Sequence, residues 1–147
     1  MKKLLVSLIL LGVVSFLGIQ LIPYGKDRTN PPVIQDAPWS SAQAREVARR
    51  ACYDCHSNET TWPFYSRIAP VSWLVYRDVM EGRNKLNFSE WGRGEQEVEE
   101  IGEVVAEGEM PPRIYLVTHP TARLSAADQA LLVGGLPGIK IEAEDDD

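Results

Sequence analysis

Both cysteines of this chain and one of its two histidines fall within five consecutive residues, Cys52-Tyr53-Asp54-Cys55-His56. A Cys-x-x-Cys pair alone suits a redox dithiol, half of a zinc site, or covalent attachment of a haem, and each would demand a different architecture around it. The adjacent histidine separates them. Zinc needs four ligands, and beyond this run only His119 and carboxylates remain to complete a site. A thioredoxin-like dithiol opens a helix after a strand, whereas these cysteines close a helical pattern. Cys-x-x-Cys-His is the attachment signature for haem c: Cys52 and Cys55 add to the vinyl groups and His56 is delivered to the iron, one haem per chain.

The N-terminus carries Lys2 and Lys3 and then no charge over residues 4–22. At a rise of about 1.5 Å per residue that run spans about 28 Å, close to the hydrocarbon thickness of a bilayer. A cleaved signal peptide has a shorter apolar region and a small-x-small exit, and here the exit reads Gln20-Leu21-Ile22-Pro23-Tyr24. The pattern predicts a retained single-pass anchor over 1–22 in a bacterial inner membrane, lysines cytoplasmic, with the rest facing the periplasm. A signal sequence is the alternative. It exports the domain equally, to the side of the membrane where haem is attached to c-type proteins.

Residues 23–38 contain four prolines and no apolar periodicity, so they read as an extended tether with a reach of up to about 50 Å. The remainder suits one domain, 39–137, followed by an acidic tail over 138–147 that carries much of the formal charge of −6. That tail argues against nucleic acid as a partner and leaves basic protein surfaces open.

Within the domain, Ser40 and Gln43 resemble a capping box, and Ala44, Val47, Ala48, Ala51, Cys52 and Cys55 share one helical face. A loop follows over 57–70, with Trp62, Pro63, Phe64 and Tyr65 available to cover a large flat apolar group. Ser72 is placed to cap a second helix bearing Trp73, Tyr76, Val79 and Met80, ending near 82–86. A third begins near Ser89, buries Trp91, Val98, Ile101, Val104 and Val105, and stops at Gly108. Ser125 with Asp128 starts a last helix over 126–133 that Gly134 and Gly135 terminate. No β-type alternation and no repeat is visible, so the fold class is all-α.

His56 binds iron through Nε2, which leaves Nδ1–H to find an acceptor; carbonyls around Pro63 or Pro70 are the nearest in sequence. For the sixth ligand the chain offers Met80, Met110 and His119. Met80 lies on a buried helical stripe and reads as packing. Met110 precedes Pro111-Pro112, which stiffen its loop, and is the favoured donor. His119, before Pro120, is the alternative and would give a bis-histidine centre of lower potential; a surface turn or a propionate contact are its other readings.

Helix, Cys-x-x-Cys-His, long loop, Met-Pro-Pro and a closing Leu-Ser-x-x-Asp helix together resemble a class I cytochrome c. More narrowly, Ser57-Asn58-Glu59-Thr60-Thr61-Trp62-Pro63, Ile68-Ala69-Pro70-Val71-Ser72-Trp73, Leu86-Asn87-Phe88-Ser89 and Met110-Pro111-Pro112 resemble the small membrane-anchored bacterial haem-binding domain proteins, over about 37–136. The resemblance implies a cytochrome c-like helical fold around one covalent haem on Cys52 and Cys55, with axial His56. Met110 corresponds to the distal methionine of the superfamily, and Tyr115 with His119-Pro120 matches the narrower pattern. One departure is the end of the last helix, Val133-Gly134-Gly135-Leu136, where such proteins tend to be bulkier.

Nothing else looks catalytic: there is no third histidine, Gly-rich phosphate loop or nucleophile elbow. The expectation is a non-enzymatic, membrane-tethered periplasmic monohaem cytochrome c. It would transfer electrons to a redox partner protein or membrane complex, or act as its accessory haem subunit, with no small-molecule substrate. A haem-based sensor or peroxidase-like protein with a labile sixth ligand is the alternative.

Overall fold

Helix α1, Lys2–Ile19, is apolar on every side and none of it is buried, with a mean hydropathy of 2.1. A helix with no polar face and no partner in its own chain has the composition of a membrane span or signal. The computed structural model describes residues 1–93, 96 and 98–139, and its regular structure there is all-α, seven helices with no strand. Part of the expected acidic tail, from residue 140 onward, lies outside the described residues.

After a turn at Tyr24-Gly25, residues 26–38 are extended, but they are strapped to the domain. The Arg28 guanidinium donates to the Ser66 carbonyl at 3.0 Å, and the Asn30 amide to that of Thr60 at 2.9 Å. The Ile34 and Gln35 N–H groups share the Ser89 carbonyl, and Ala37 N–H reaches Phe88 at 2.9 Å. Backbone donors in a segment without its own helix or sheet must be satisfied elsewhere. The acceptors come from loops far along the chain, so the reach of a free tether is not used.

Helix α2, Ala42–Ala51, buries Ala44, Val47, Ala48 and Ala51 as their spacing predicts. Its cap is Ser41 rather than Ser40: the Ser41 hydroxyl accepts from Ala44 N–H at 3.1 Å. The face does not run unbroken through both cysteines. Cys52, at φ −124°, interrupts it, and a separate turn, α3, Tyr53–His56, carries Cys55 and His56. After a 3-10 turn at Phe64–Arg67 comes α4, Val71–Lys85, which starts at Pro70 instead of Ser72. Proline is suited to a helix start, where its missing N–H costs nothing.

The expected third helix shrinks to α5, Ile101–Ala106. Its supposed start is consumed by turns: Ser89 is fully buried in a polar loop, and Gly92 adopts φ +81°. Helix α6, Arg113–Thr118, was not evident in the sequence pattern. Helix α7, Ala126–Val133, has the full Ser125/Asp128 capping box. Its small end has a use, because a Cβ on Gly135 would sit 2.7 Å from that of Ala44. Gly135 lets α7 close against α2, and Leu136 then enters the core with Val47, Ala48, Tyr53, Phe88 and Leu132.

Arg50 of α2 pairs with Asp128 of α7 at 2.6 Å. That hydrogen bond, and those from the Ser125 N–H and hydroxyl, hold the Asp128 carboxyl down at about 2. A carboxyl with a native pKa below its unfolded one adds stability at higher pH and loses it as pH falls through the native value. Asp128→Asn should therefore melt a few degrees below wild type at pH 6, with the gap closing between about pH 4 and pH 2. Thermal melts followed by far-UV circular dichroism across that range check this.

Candidate haem site

The residue after Cys52 fixes the motif in place. Tyr53 is 1% exposed; its hydroxyl donates to Asp36 at 2.9 Å and accepts from the Trp39 indole at 2.9 Å. Its ring stacks on Phe88, centroids 5.3 Å apart, and the Arg45 guanidinium, bonded to Asp36, lies 5.6 Å from its centroid. Helix α3 is thus pinned by a buried side chain of its own first residue.

His56 is held by the loop after α4. Its Nδ1 lies 3.1 Å from the Leu86 carbonyl, and its own carbonyl accepts from Phe88 N–H at 2.8 Å. A carbonyl can only accept, so Nδ1 carries the proton and Nε2 is the unprotonated nitrogen, the one that could bind a metal. The acceptor is therefore Leu86 and not a carbonyl near Pro63 or Pro70. The reason is a buried polar clamp that folds residues 86–90 back onto α3. Asn87 donates to the Asn58 side chain at 2.9 Å, Asn58 N–H donates to the Ser89 hydroxyl at 3.0 Å, and Ser89 N–H donates to the Asn87 side chain at 3.0 Å.

Cys55 faces a cleft of about 60 Å³ shared with Asp54, Tyr65, Val79, Tyr115 and His119. Of the sequence-predicted residues, Cys55 and His119 therefore come together, and Cys52 and His56 flank Cys55 on the same short run. Met110 is not in that lining; it is 38% exposed, just beyond the Gly108 turn. Met80 is half-buried on α4. His119 stacks on Tyr115 at 4.0 Å, with Nδ1 3.2 Å from the Tyr115 carbonyl and 3.0 Å from the Thr118 hydroxyl.

Three contributors carried no local signal. Asp54 accepts from the Tyr115 hydroxyl at 2.8 Å and from Thr61 N–H at 2.8 Å, so it ties α6 and the 57–70 loop to the motif. Arg83, half-buried, donates to the Ser57 carbonyl at 2.8 Å and to the Thr60 hydroxyl at 2.9 Å. Gly82 lets α4 press on α3: a Cβ there would lie 2.7 Å from the Cys55 carbonyl oxygen.

Burial pushes both thiols up to about 12; the neighbouring Cys55 adds to the effect at Cys52, and Asp54 and Asp78 add to it at Cys55. A redox dithiol needs the opposite, a thiol whose pKa is depressed. Among the described residues there is no cluster of three or more metal-ligating side chains to complete a zinc site. The donor chemistry that does fit is that of haem: two thiols one turn apart with an oriented imidazole beside them. The cleft is smaller than the roughly 300 Å³ at which small-molecule pockets begin. On its α6 side the cleft is bordered by Tyr115, bonded to Asp54, and α6 is held further by Tyr65 to Thr118 at 3.0 Å.

Fold and site define a class, an all-α protein arranged about a Cys-x-x-Cys-His run. The family model for the haem-binding domain matches residues 14–137, and the chain belongs to that family. It is a haem protein. No curated protein and no solved structure matches it.

Alanine in place of a mid-helix glycine usually gains about 1 kcal/mol. At Gly82 the added methyl meets backbone, and overpacking of that kind costs about 1–3 kcal/mol. Gly82→Ala should therefore lower the melting temperature of the haem-loaded protein and its haem content per chain, read from the absorbance ratio of haem to protein.

Proposed function

We propose that this chain is a membrane-tethered, periplasm-facing monohaem cytochrome c that passes electrons to a redox partner protein or serves as its accessory haem subunit. The observation that carries the reading is the His56–Leu86 hydrogen bond. It fixes the tautomer and aim of an imidazole placed directly after two thiols on one turn. When bound, the haem supplies a one-electron couple.

The chain's own residues supply the rest. Cys52 and Cys55 would hold the group by thioether bonds. His56 would bind the iron through Nε2, made more basic by the acceptor on Nδ1. His119 would be the second protein ligand in preference to Met110. It shares a cleft with Cys55, and its Nδ1 is already engaged with the Tyr115 carbonyl, leaving Nε2 for a metal. Met110 is outside that cleft and substantially exposed. Two imidazoles give a lower potential than an imidazole with a thioether. Apolar Val79 and Tyr65 line the same cleft and limit water there.

Protein matured with active haem-attachment machinery should retain its haem after denaturation. Two cysteines titrating as free thiols in that material would sink the covalent reading. The wild-type spectrum should be low-spin bis-histidine without a thioether–iron charge-transfer band. His119→Ala should open the iron to carbon monoxide, and Met110→Ala should leave the spectrum unchanged. If Met110→Ala is the variant that opens the iron, the distal assignment moves to Met110. Five-coordinate iron in the wild type would instead support the sensor or peroxidase-like reading.

A further inference from the structure

Where α1 ends, the folded domain is fastened to it. The Gln20 side chain acts as a peptide would: its Oε1 accepts from Ala69 N–H at 2.9 Å and its Nε2 donates to the Ala69 carbonyl at 3.1 Å. A few residues on, Gly25 at φ +73° brings the chain so close to α4 that a Cβ would lie 2.8 Å from the Ser72 carbonyl oxygen. Together these contacts form a pocket of about 110 Å³ within one short turn of the apolar helix.

Three cations line it, Lys26, Arg28 and Arg67, and no carboxylate does. Arg28 is committed to structure, donating to the Gly25 and Ser66 carbonyls at 3.2 and 3.0 Å. Lys26 is exposed, and among the described residues its ammonium is engaged only by a 3.4 Å bond to the Leu21 carbonyl. Arg67 is exposed, and among the described residues no carboxylate lies within ion-pair distance of it. The nearest acid in sequence, Asp27, already accepts from Thr29 N–H at 2.9 Å. Ser72 adds the first turn of α4, whose dipole also favours an anion. Next to Arg67, Phe64, Ile68 and Val71 expose apolar side chains, 77%, 44% and 43% accessible. Basic and apolar side chains intermixed at the end of an apolar helix suit the headgroup layer.

We propose that this pocket binds a phosphate oxyanion, supplied by the headgroup of an anionic phospholipid in the leaflet where α1 ends. The proposal rests on α1 being a retained membrane anchor. Lys26 and Arg67 make the charge contacts, Arg28 shapes the pocket, and Gln20 fixes the depth of the domain relative to the bilayer.

The test uses the full-length, haem-loaded protein in detergent, titrated separately with phosphatidylglycerol and phosphatidylcholine, with bound lipid read by native mass spectrometry. Wild type should retain one phosphatidylglycerol with a preference of about tenfold or more over phosphatidylcholine. Lys26→Gln/Arg67→Gln should bring that preference close to unity with an unchanged haem spectrum, and Lys26→Arg/Arg67→Lys should restore it. Equal phosphatidylglycerol retention by wild type and the glutamine variant overturns the site. Competition by millimolar inorganic phosphate as effective as that by the lipid overturns the lipid as source. The intact mass separates the two layers of the argument: a chain cleaved after α1 removes the anchor and the proposal together, whereas an intact chain without lipid preference removes the proposal alone.

Discussion

The hydrogen bond from His56 to the Leu86 carbonyl is the constraint on which the arrangement of this domain depends. For it to form, residues 86–90 must turn back across α3, and that turn is held by buried polar groups that bond to one another, with Asn58 also donating to Pro32 and Glu90. Asn58, Asn87 and Ser89 are each at most 7% exposed and bond in a closed circuit. A half-satisfied buried circuit would be costly, so it forms as a unit or not at all. Once formed, it places Phe88 against Tyr53, which in turn orients the turn that presents Cys55 and His56. The polar clamp and the aromatic stack thus both act on the turn that carries His56.

The same loops hold the segment leading from the apolar helix. Because Ser89, Phe88, Thr60 and Ser66 supply carbonyls to residues 28–37, that segment is part of the wall of the domain and not a spacer. The segment that follows the apolar helix and the loop that holds His56 thus share backbone hydrogen bonds.

Features decided within a few residues were legible in the sequence. The haem-binding family was readable from the motifs around residues 52–56. The buried face of α2 follows from its alanines, and the Ser125/Asp128 box starts α7 where it should. The errors have one cause in common, acceptors distant in the chain. Ser89 looked like a helix start because Ser is a good cap, but its hydroxyl was needed by Asn58. Nδ1 of His56 was assigned to the nearest proline-stiffened loop, whereas the clamp delivered Leu86. The strap was read as free because prolines without periodicity say nothing about which carbonyls their neighbours will find. Met110 stood out through its prolines; the cleft that holds His119 beside Cys55 exists only after α6 and α4 meet α3.

The distribution of side chains also bears on the role of the haem in the fold. Among the described residues, six of the fourteen buried apolar side chains are alanines, which leaves a thin apolar interior. Meanwhile Val71 and Leu74 on α4 and Ile114 and Val117 on α6 are 41–74% exposed, on the two helices that flank the cleft. Small domains with limited cores rely on a staple or a bound group for stability. A haem attached at Cys52 and Cys55 would be both: a cross-link to the polypeptide, and an apolar body for α4 and α6 to cover. On that view attachment precedes final packing. The protonated thiols belong to the chain before attachment, and α6, which borders the cleft, is fastened by two side-chain bonds, Tyr115 to Asp54 and Tyr65 to Thr118.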